Sequence, residues 1–192
     1  MASELFVDKI TGKTGTAGSA PLSMSGNTLT ATLGTSSTGF GLTTHVDQWR
    51  VESDTTTEGI LTNVGQVGTD SFSQIGAVMT QSSGYFTFPT TGKWLITAFA
   101  SYKSTSGGIT YAAIYNYFTT DNSNYNLRTF GATSISGTNY YGVSYCNYMF
   151  DVSNTTTHKM YFYYARPSAN VTLLGSTSQN NSAFTFIRLG DT

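Results

Sequence analysis

From Trp49 onward, short segments rich in Tyr, Phe, Thr, Val and Ile are broken at near-even intervals by clusters of turn residues. The breaks are Thr90-Thr91-Gly92, Ser106-Gly107-Gly108, Asp121-Asn122-Ser123-Asn124, Ser136-Gly137-Thr138-Asn139 and Ser153-Asn154-Thr155. β-branched and aromatic residues suit a pleated, half-buried surface, while Gly, Asn and Ser close turns. The spacing predicts strands near 47–52, 59–64, 72–79, 84–88, 93–103, 109–119, 125–132, 139–152, 158–165, 170–175 and 182–189. No segment keeps apolar residues at helical spacing for three turns without interruption. The expected fold is therefore all-β, a sandwich or jelly roll.

Alternation along these strands carries a second message. In Lys93–Lys103, Trp94, Ile96, Ala98 and Ala100 share one face, but the other face holds Leu95 and Phe99 beside Thr97 and Ser101. In 158–165, Met160, Phe162 and Tyr164 alternate with Lys159, Tyr161 and Tyr163, and tyrosines fall on both faces of 140–150. A solitary sandwich in water shows apolar residues inside and polar residues outside. Strands that are apolar on both sides predict that one sheet packs on a neighbouring copy. Trp94, Ile96, Phe99, Tyr145, Phe162, Tyr164, Phe184 and Phe186 are the residues expected to form the core and the interface between copies.

Residues 1–45 read differently from 46–192. The stretch 11–44 is dense in Gly, Ser and Thr and poor in bulky apolar residues, too poor to offset its own ordering entropy. Its apolar islands are Leu5, Phe6, Val7 and Ile10, then Leu29 and Leu33. The expectation is an extended anchor arm that orders against a partner; 45 extended residues reach roughly 150 Å.

Little in the chain points to catalysis. Charged residues make up 10% and the formal net charge is -1, which disfavours nucleic acid as a partner. A single cysteine, Cys146, excludes an intrachain disulfide and cysteine-type metal sites. Gly12-Lys13-Thr14 lacks the upstream Gly of a phosphate loop, since position 7 is Val7. His45 and His158 are the two histidines, and His158 reads as a hydrogen-bonded structural residue. Asp47, Glu52, Asp54, Glu58, Asp70, Asp121 and Asp151 are scattered and read as isolated carboxylates rather than a glycosidase pair. No calcium-loop pattern occurs. No cofactor is expected, and no enzyme. The first residues lack the apolar core of a secretory signal, and no apolar run approaches the ~18 residues of a membrane span. The expected route is synthesis in a host cytoplasm and display on a particle, with no membrane partner.

The stretch Ser83-Gly84-Tyr85-Phe86-Thr87-Phe88-Pro89-Thr90-Thr91-Gly92-Lys93-Trp94-Leu95-Ile96 resembles the central hairpin of C1q/TNF-like jelly rolls. The closing strand Ser182–Leu189 and the hairpin at 152–162 resemble that family too. Glu4-Leu5-Phe6-Val7-Asp8-Lys9-Ile10-Thr11-Gly12-Lys13 resembles the leader of structural proteins from tailed phages of marine bacteria and cyanobacteria. These resemblances imply a jelly-roll β-sandwich that forms a homotrimer, with the arm holding it to a virion. No collagen-like repeat or heptad stalk is present, which favours a squat knob. The expected function is a trimeric capsid decoration, or cement, protein on the outer surface, bound to the major capsid protein. The alternative is a short tail fibre or receptor-binding knob on a tail or baseplate that recognises a host surface glycan. Most of the tyrosines at 111, 115, 117, 125, 140, 141, 145 and 148 read as sandwich core and subunit interface, with a carbohydrate-binding surface as the alternative.

Overall fold

The computed structural model describes residues 43–68 and 73–192 in full and the backbone of residues 22–25 and 28–31. The chain divides into two compact units, Met1–Gly41 and Leu42–Thr192. In the first, β1 (Leu22–Ser25) pairs antiparallel with β2 (Thr28–Ala31), with Leu22 opposite Ala31. Leu29, expected in an extended arm, lies in β2. Leu5, Phe6, Val7, Ile10 and Leu33 lie outside the described residues.

The second unit is a two-layer sandwich, and among its described residues there is no helix. Its strands are β3 (His45–Val51), β4 (Gly59–Ile60), β5 (Val64–Gln66), β6 (Thr80–Ser82), β7 (Tyr85–Thr87) and β8 (Gly92–Ser104). They continue as β9 (Ile109–Thr119), β10 (Asn126–Ile135), β11 (Tyr141–Val152), β12 (Lys159–Ala165), β13 (Val171–Leu173) and β14 (Ala183–Gly190). The first sheet runs β11-β8-β14-β3-β5, with β13 added to β8. The second runs β10-β9-β12-β7-β6, with β4 added to β12. Consecutive strands such as β10 and β11 fall in different sheets, which is the crossing pattern of a jelly roll rather than a meander.

Period-two alternation builds the core. In β8 every second residue from Gly92 to Ser104 is buried, so Trp94, Ile96, Ala98, Ala100 and Tyr102 point between the sheets. Phe162 and Tyr164 of β12 and Phe184 and Phe186 of β14 meet them there, all fully buried. Phe162 stacks on Phe184 at 3.8 Å between centroids and 11° between planes, and Phe86 packs edge-on against Phe162 at 5.5 Å. The buried phenols keep partners: Tyr164 donates to the Val171 carbonyl at 3.0 Å, and Tyr102 shares a 2.8 Å bond with Ser144. That satisfies groups whose desolvation is otherwise costly.

One buried carboxylate organises the β3 end. Asp47 Oδ2 accepts from Trp49 Nε1 and from the Met79 main-chain N–H, both at 2.8 Å. Its Oδ1 accepts from Gln66 Nε2, also at 2.8 Å. The carboxylate thus ties β3, β5 and the segment ahead of β6 into one unit.

Two expected strands differ from the observed ones. In the segment expected at 72–79, residues 73–79 form no strand; only Ile75 makes an isolated bridge, to Val46. Gly76 has φ +70°, and a Cβ there would lie 2.1 Å from the Thr44 carbonyl oxygen, so the ladder breaks. The Met79 amide then goes to Asp47 instead of to a neighbouring strand. The single strand expected at 59–64 is split because it serves both sheets. β4 pairs β12, Leu61 N–H bonds the Phe162 carbonyl, and β5 then pairs β3.

Candidate self-association face

The outward face of the first sheet is apolar where a lone sandwich would be polar. β11 alternates without a slip: Tyr141, Val143, Tyr145, Asn147, Met149 and Asp151 are exposed, while Ser144, Cys146, Phe150 and Val152 are buried. Tyr145 is 58% exposed, Val143 57% and Met149 59%, values expected of polar residues on a free surface. Register aligns them into rows across the sheet. Tyr145 lies opposite Phe99, which lies opposite Ala183. Met149 lies opposite Leu95, which lies opposite Ile187, which lies opposite Val46. Between these rows runs a polar one, Asn147, Thr97, Thr185 and Gln48, in which Gln48 Nε2 donates to Thr185 Oγ1 at 3.2 Å.

The apolar surface turns a corner at the sheet edge. β11 ends the first sheet and β10 ends the second, and the two strands meet there. Phe130 and Leu127 of β10 are 57% and 40% exposed. A protruding apolar edge and a flat apolar face therefore adjoin on the same molecule. A long, flat, hydrophobic edge strand is a surface that proteins normally cover. Charge is sparse on this side; Lys103 sits 5.9 Å from the centre of the Tyr141 ring, a cation–π contact at the rim.

Of the residues singled out in the sequence, Phe99 and Tyr145 reach this face, directly opposite each other. Trp94, Ile96, Phe162, Tyr164, Phe184 and Phe186 are buried between the sheets. Val143, Met149, Ile187, Leu127 and Phe130 were not singled out. For Val143 and Met149 the signal was the strict two-residue beat of β11, which marks the odd positions as outward once the even ones are buried.

The remaining candidates settle into structural roles. His158 is buried, with Nε2 3.2 Å from Ser153 Oγ, Nδ1 3.1 Å from Thr157 Oγ1 and its ring 5.5 Å from Phe150. His45 lies 5.7 Å from Trp94, and burial, then the nearby Arg188 cation, hold its pKa below the usual histidine value. Burial pushes the Cys146 thiol up to about 11, so it stays protonated and unreactive. Asp121 closes the β9–β10 turn: Oδ1 accepts from Thr119 Oγ1, Ser123 N and Asn124 N, and Oδ2 from Asn124 Nδ2. Asp54 Oδ1 accepts from Gly175 N at 2.9 Å, and Asp151 lies at the far end of β11. Asp70 lies outside the described residues. Among the described residues no three His, Cys, Asp or Glu side chains gather in a way that could hold a metal ion, and no helix is long and apolar enough to cross a membrane.

No family model and no curated protein matches the chain. Solved structures do resemble it. A crystal structure of murine APRIL at pH 5.0 aligns with a TM-score of 0.55 and 10% identity, covering 76% of this chain and 98% of that one. The structure of Eiger TNF from S. frugiperda aligns with a TM-score of 0.57 and 10% identity, covering 77% of this chain and 93% of that one. At such identity the likeness is one of fold. The TNF-like jelly roll expected from the hairpin and closing strand is the architecture observed.

Proposed function

We propose that this chain is a non-catalytic structural protein whose jelly roll assembles as a homotrimer, and that the trimer decorates the outer surface of a virion. The observation that carries the assembly is the exposed apolar set formed by Val143, Tyr145, Met149 and Phe99 on one side of the corner and Leu127 and Phe130 on the other. The β10/β11 corner of one copy sets against the β8/β14 face of the next. An edge-on-face contact is heterologous, and three such contacts close a ring when each turns the chain by one third. A closed ring of this kind covers the apolar face of the first sheet on every copy. The TNF-like fold supports the same arrangement.

The virion placement rests on the leader at 4–13 and its resemblance to phage structural proteins. Residues 1–45 would bind the major capsid protein, with Leu5, Phe6, Val7, Ile10, Leu29 and Leu33 as apolar anchors. Three linked arms raise one another's effective concentration, so weak individual contacts add up to firm attachment.

Sedimentation of the full chain tests the assembly. The wild type runs as a trimer at micromolar concentration, while Met149→Glu or Tyr145→Glu runs as a folded monomer. A wild-type monomer would sink the reading. Deletion of residues 1–40 tests the arm: the trimer persists and capsid binding is lost. A truncated protein that still coats particles removes the arm from the scheme.

A short tail fibre or receptor-binding knob is the second reading, favoured by an aromatic, hydroxyl-rich face on the second sheet. Copy number per particle separates the two, with hundreds for a decoration protein and tens or fewer for a fibre.

A further inference from the structure

The outward face of the second sheet adjoins the self-association corner: its rows begin at Leu127 and Phe130, opposite Tyr117 and Tyr115, with the Phe130 ring 5.4 Å from that of Tyr115. β9 and β12 pair so that Tyr117 lies opposite Tyr161 and Tyr115 opposite Tyr163. β7 extends the first row, with Tyr85 opposite Tyr161. The rings of Tyr117 and Tyr161 stack at 4.9 Å and 17°, and those of Tyr115 and Tyr163 at 6.3 Å and 19°. Tyr125 leans over the row, 5.1 Å from Tyr161 and 5.4 Å from Tyr85. All are half-buried, each propped by a neighbour, so the surface is rigid before any ligand arrives.

The second row runs into a cavity. β4 places Ile60 opposite Tyr163. Ile60 also lines a cavity of about 320 Å³ together with Asp54, Thr57, Thr62 and Asn63. That size suits a small ligand or the end of a longer one. At the junction the Tyr163 hydroxyl donates to Glu58 Oε1 at 3.4 Å. Aromatic platform, hydroxyls, amide and carboxylate therefore meet in one place.

The chemistry selects among ligands. In the trimer reading a second copy seats on the face of β11 and β8, which leaves the rows of Tyr161 and Tyr163 for another ligand. Glu58 and Asp54 put negative charge at and inside the cavity, which repels phosphates, sulfates and sialic acids. Lys159 lies one row away, opposite Thr119 and Thr87. What remains is an uncharged molecule with apolar faces and many hydroxyls. Burial pushes Tyr161 up to about 12, and the hydrogen bond with Tyr111 does most to push Tyr115 to about 12. Both phenols are neutral at physiological pH, and the Tyr115 hydroxyl is bonded to that of Tyr111 at 3.0 Å. Tyrosine also supplies rigid amphipathic contact at small entropic cost.

We propose that the tyrosine rows and the adjoining cavity bind a neutral oligosaccharide, its pyranose faces lying on Tyr161 and Tyr163 and its hydroxyls reaching Glu58, Thr57, Thr62 and Asn63. The proposal rests on the trimer reading only in that assembly covers Leu127 and Phe130 at one end of the rows and leaves Tyr161, Tyr163 and the cavity outward.

The test passes full-length protein over a printed panel of neutral, sialylated and sulfated oligosaccharides. Affinity for the best neutral ligand is then measured for the wild type, Tyr161→Ala, Tyr163→Ala, Tyr163→Phe and, as a control in the exposed β8–β9 turn, Ser106→Ala. Neutral glycans alone are retained. Each Tyr→Ala weakens binding about tenfold or more, Tyr163→Phe weakens it less, and Ser106→Ala leaves it unchanged. If a Tyr→Ala variant melts early, Thr62→Val keeps the rings in place and must also weaken binding. Retention of no neutral glycan, retention of anionic glycans only, or variants that bind like the wild type each overturn the proposal. Sedimentation of the same samples reads the trimer separately: a monomer that binds through Tyr161 and Tyr163 keeps this site and removes the trimer, and a trimer that binds nothing does the reverse.

Discussion

Gly131 of β10 lies directly against the main chain of Tyr145 of β11: a Cβ at 131 would sit 2.6 Å from the Tyr145 carbonyl oxygen, 2.8 Å from its carbon and 2.9 Å from its nitrogen. The two sheets close on each other at that point, and a backbone cannot swing aside as a side-chain tip can. The same strand then presents Tyr145 outward to the proposed neighbour. The shape of the interface and the closure of the sandwich thus share one contact.

Gly131→Ala should separate the strands at the corner. Overpacking of this kind costs about 1–3 kcal/mol. Thermal melting is expected to show a lowered Tm, and sedimentation a weaker trimer, since Tyr145 shifts with its backbone. An alanine variant with wild-type melting and assembly would mean that the corner yields without cost.

The Asp47 carboxylate supports three donors from three segments, and its loss leaves the Trp49 indole and the Met79 amide unpaired in a dry site. Asp47→Ala should destabilise the fold by about 2–4 kcal/mol, because buried donors are stranded as well as bonds lost. Urea unfolding measures this. The Trp49 indole loses its acceptor, so its fluorescence in the folded state is expected to change too. A variant as stable as the wild type would mean that water or a neighbouring group satisfies those donors.

Asp121 gives a pH signature. The Asn124 side-chain amide, first among four donors, holds its pKa well below the usual carboxylate range. A group whose folded pKa is depressed stabilises the fold above its unfolded value and loses that contribution as pH falls. The unfolded value is about 3.9, so the loss begins near there and continues into more acid solution. Asp121→Asn should melt below the wild type at neutral pH, and the difference should shrink as the pH drops toward 2. A difference that stays constant with pH would show that the turn is held by geometry alone.

How much of this was legible beforehand depended on range. The β8 and β12 alternation declared which side chains would face inward, because period two is a local property of an extended chain. Phe99 and Tyr145 could be named, but their pairing could not, since register between β8 and β11 is set across dozens of residues. The break at 73–79 was hidden for a similar reason. Gly76 reads as an ordinary glycine until the Thr44 carbonyl is placed beside it, and Met79 reads as a strand residue until Asp47 claims its amide. The tyrosine rows escaped notice as a unit because Tyr85, Tyr117 and Tyr161 come from three strands that adjoin only in the folded sheet. Cys146 and His158, by contrast, carried enough local context to be read as buried and structural.

The position of β14 between β8 and β3 has a consequence for biosynthesis. A ribosome delivers β3 first and β8 some forty residues later, yet neither can bond to the other, because the seat between them belongs to residues 183–190. Until that strand leaves the exit tunnel, both flanks wait with open backbone edges and half a core. Folding of this domain therefore waits for its last strand. Chaperone protection in that interval matters more here than for a domain whose neighbouring strands follow one another in order.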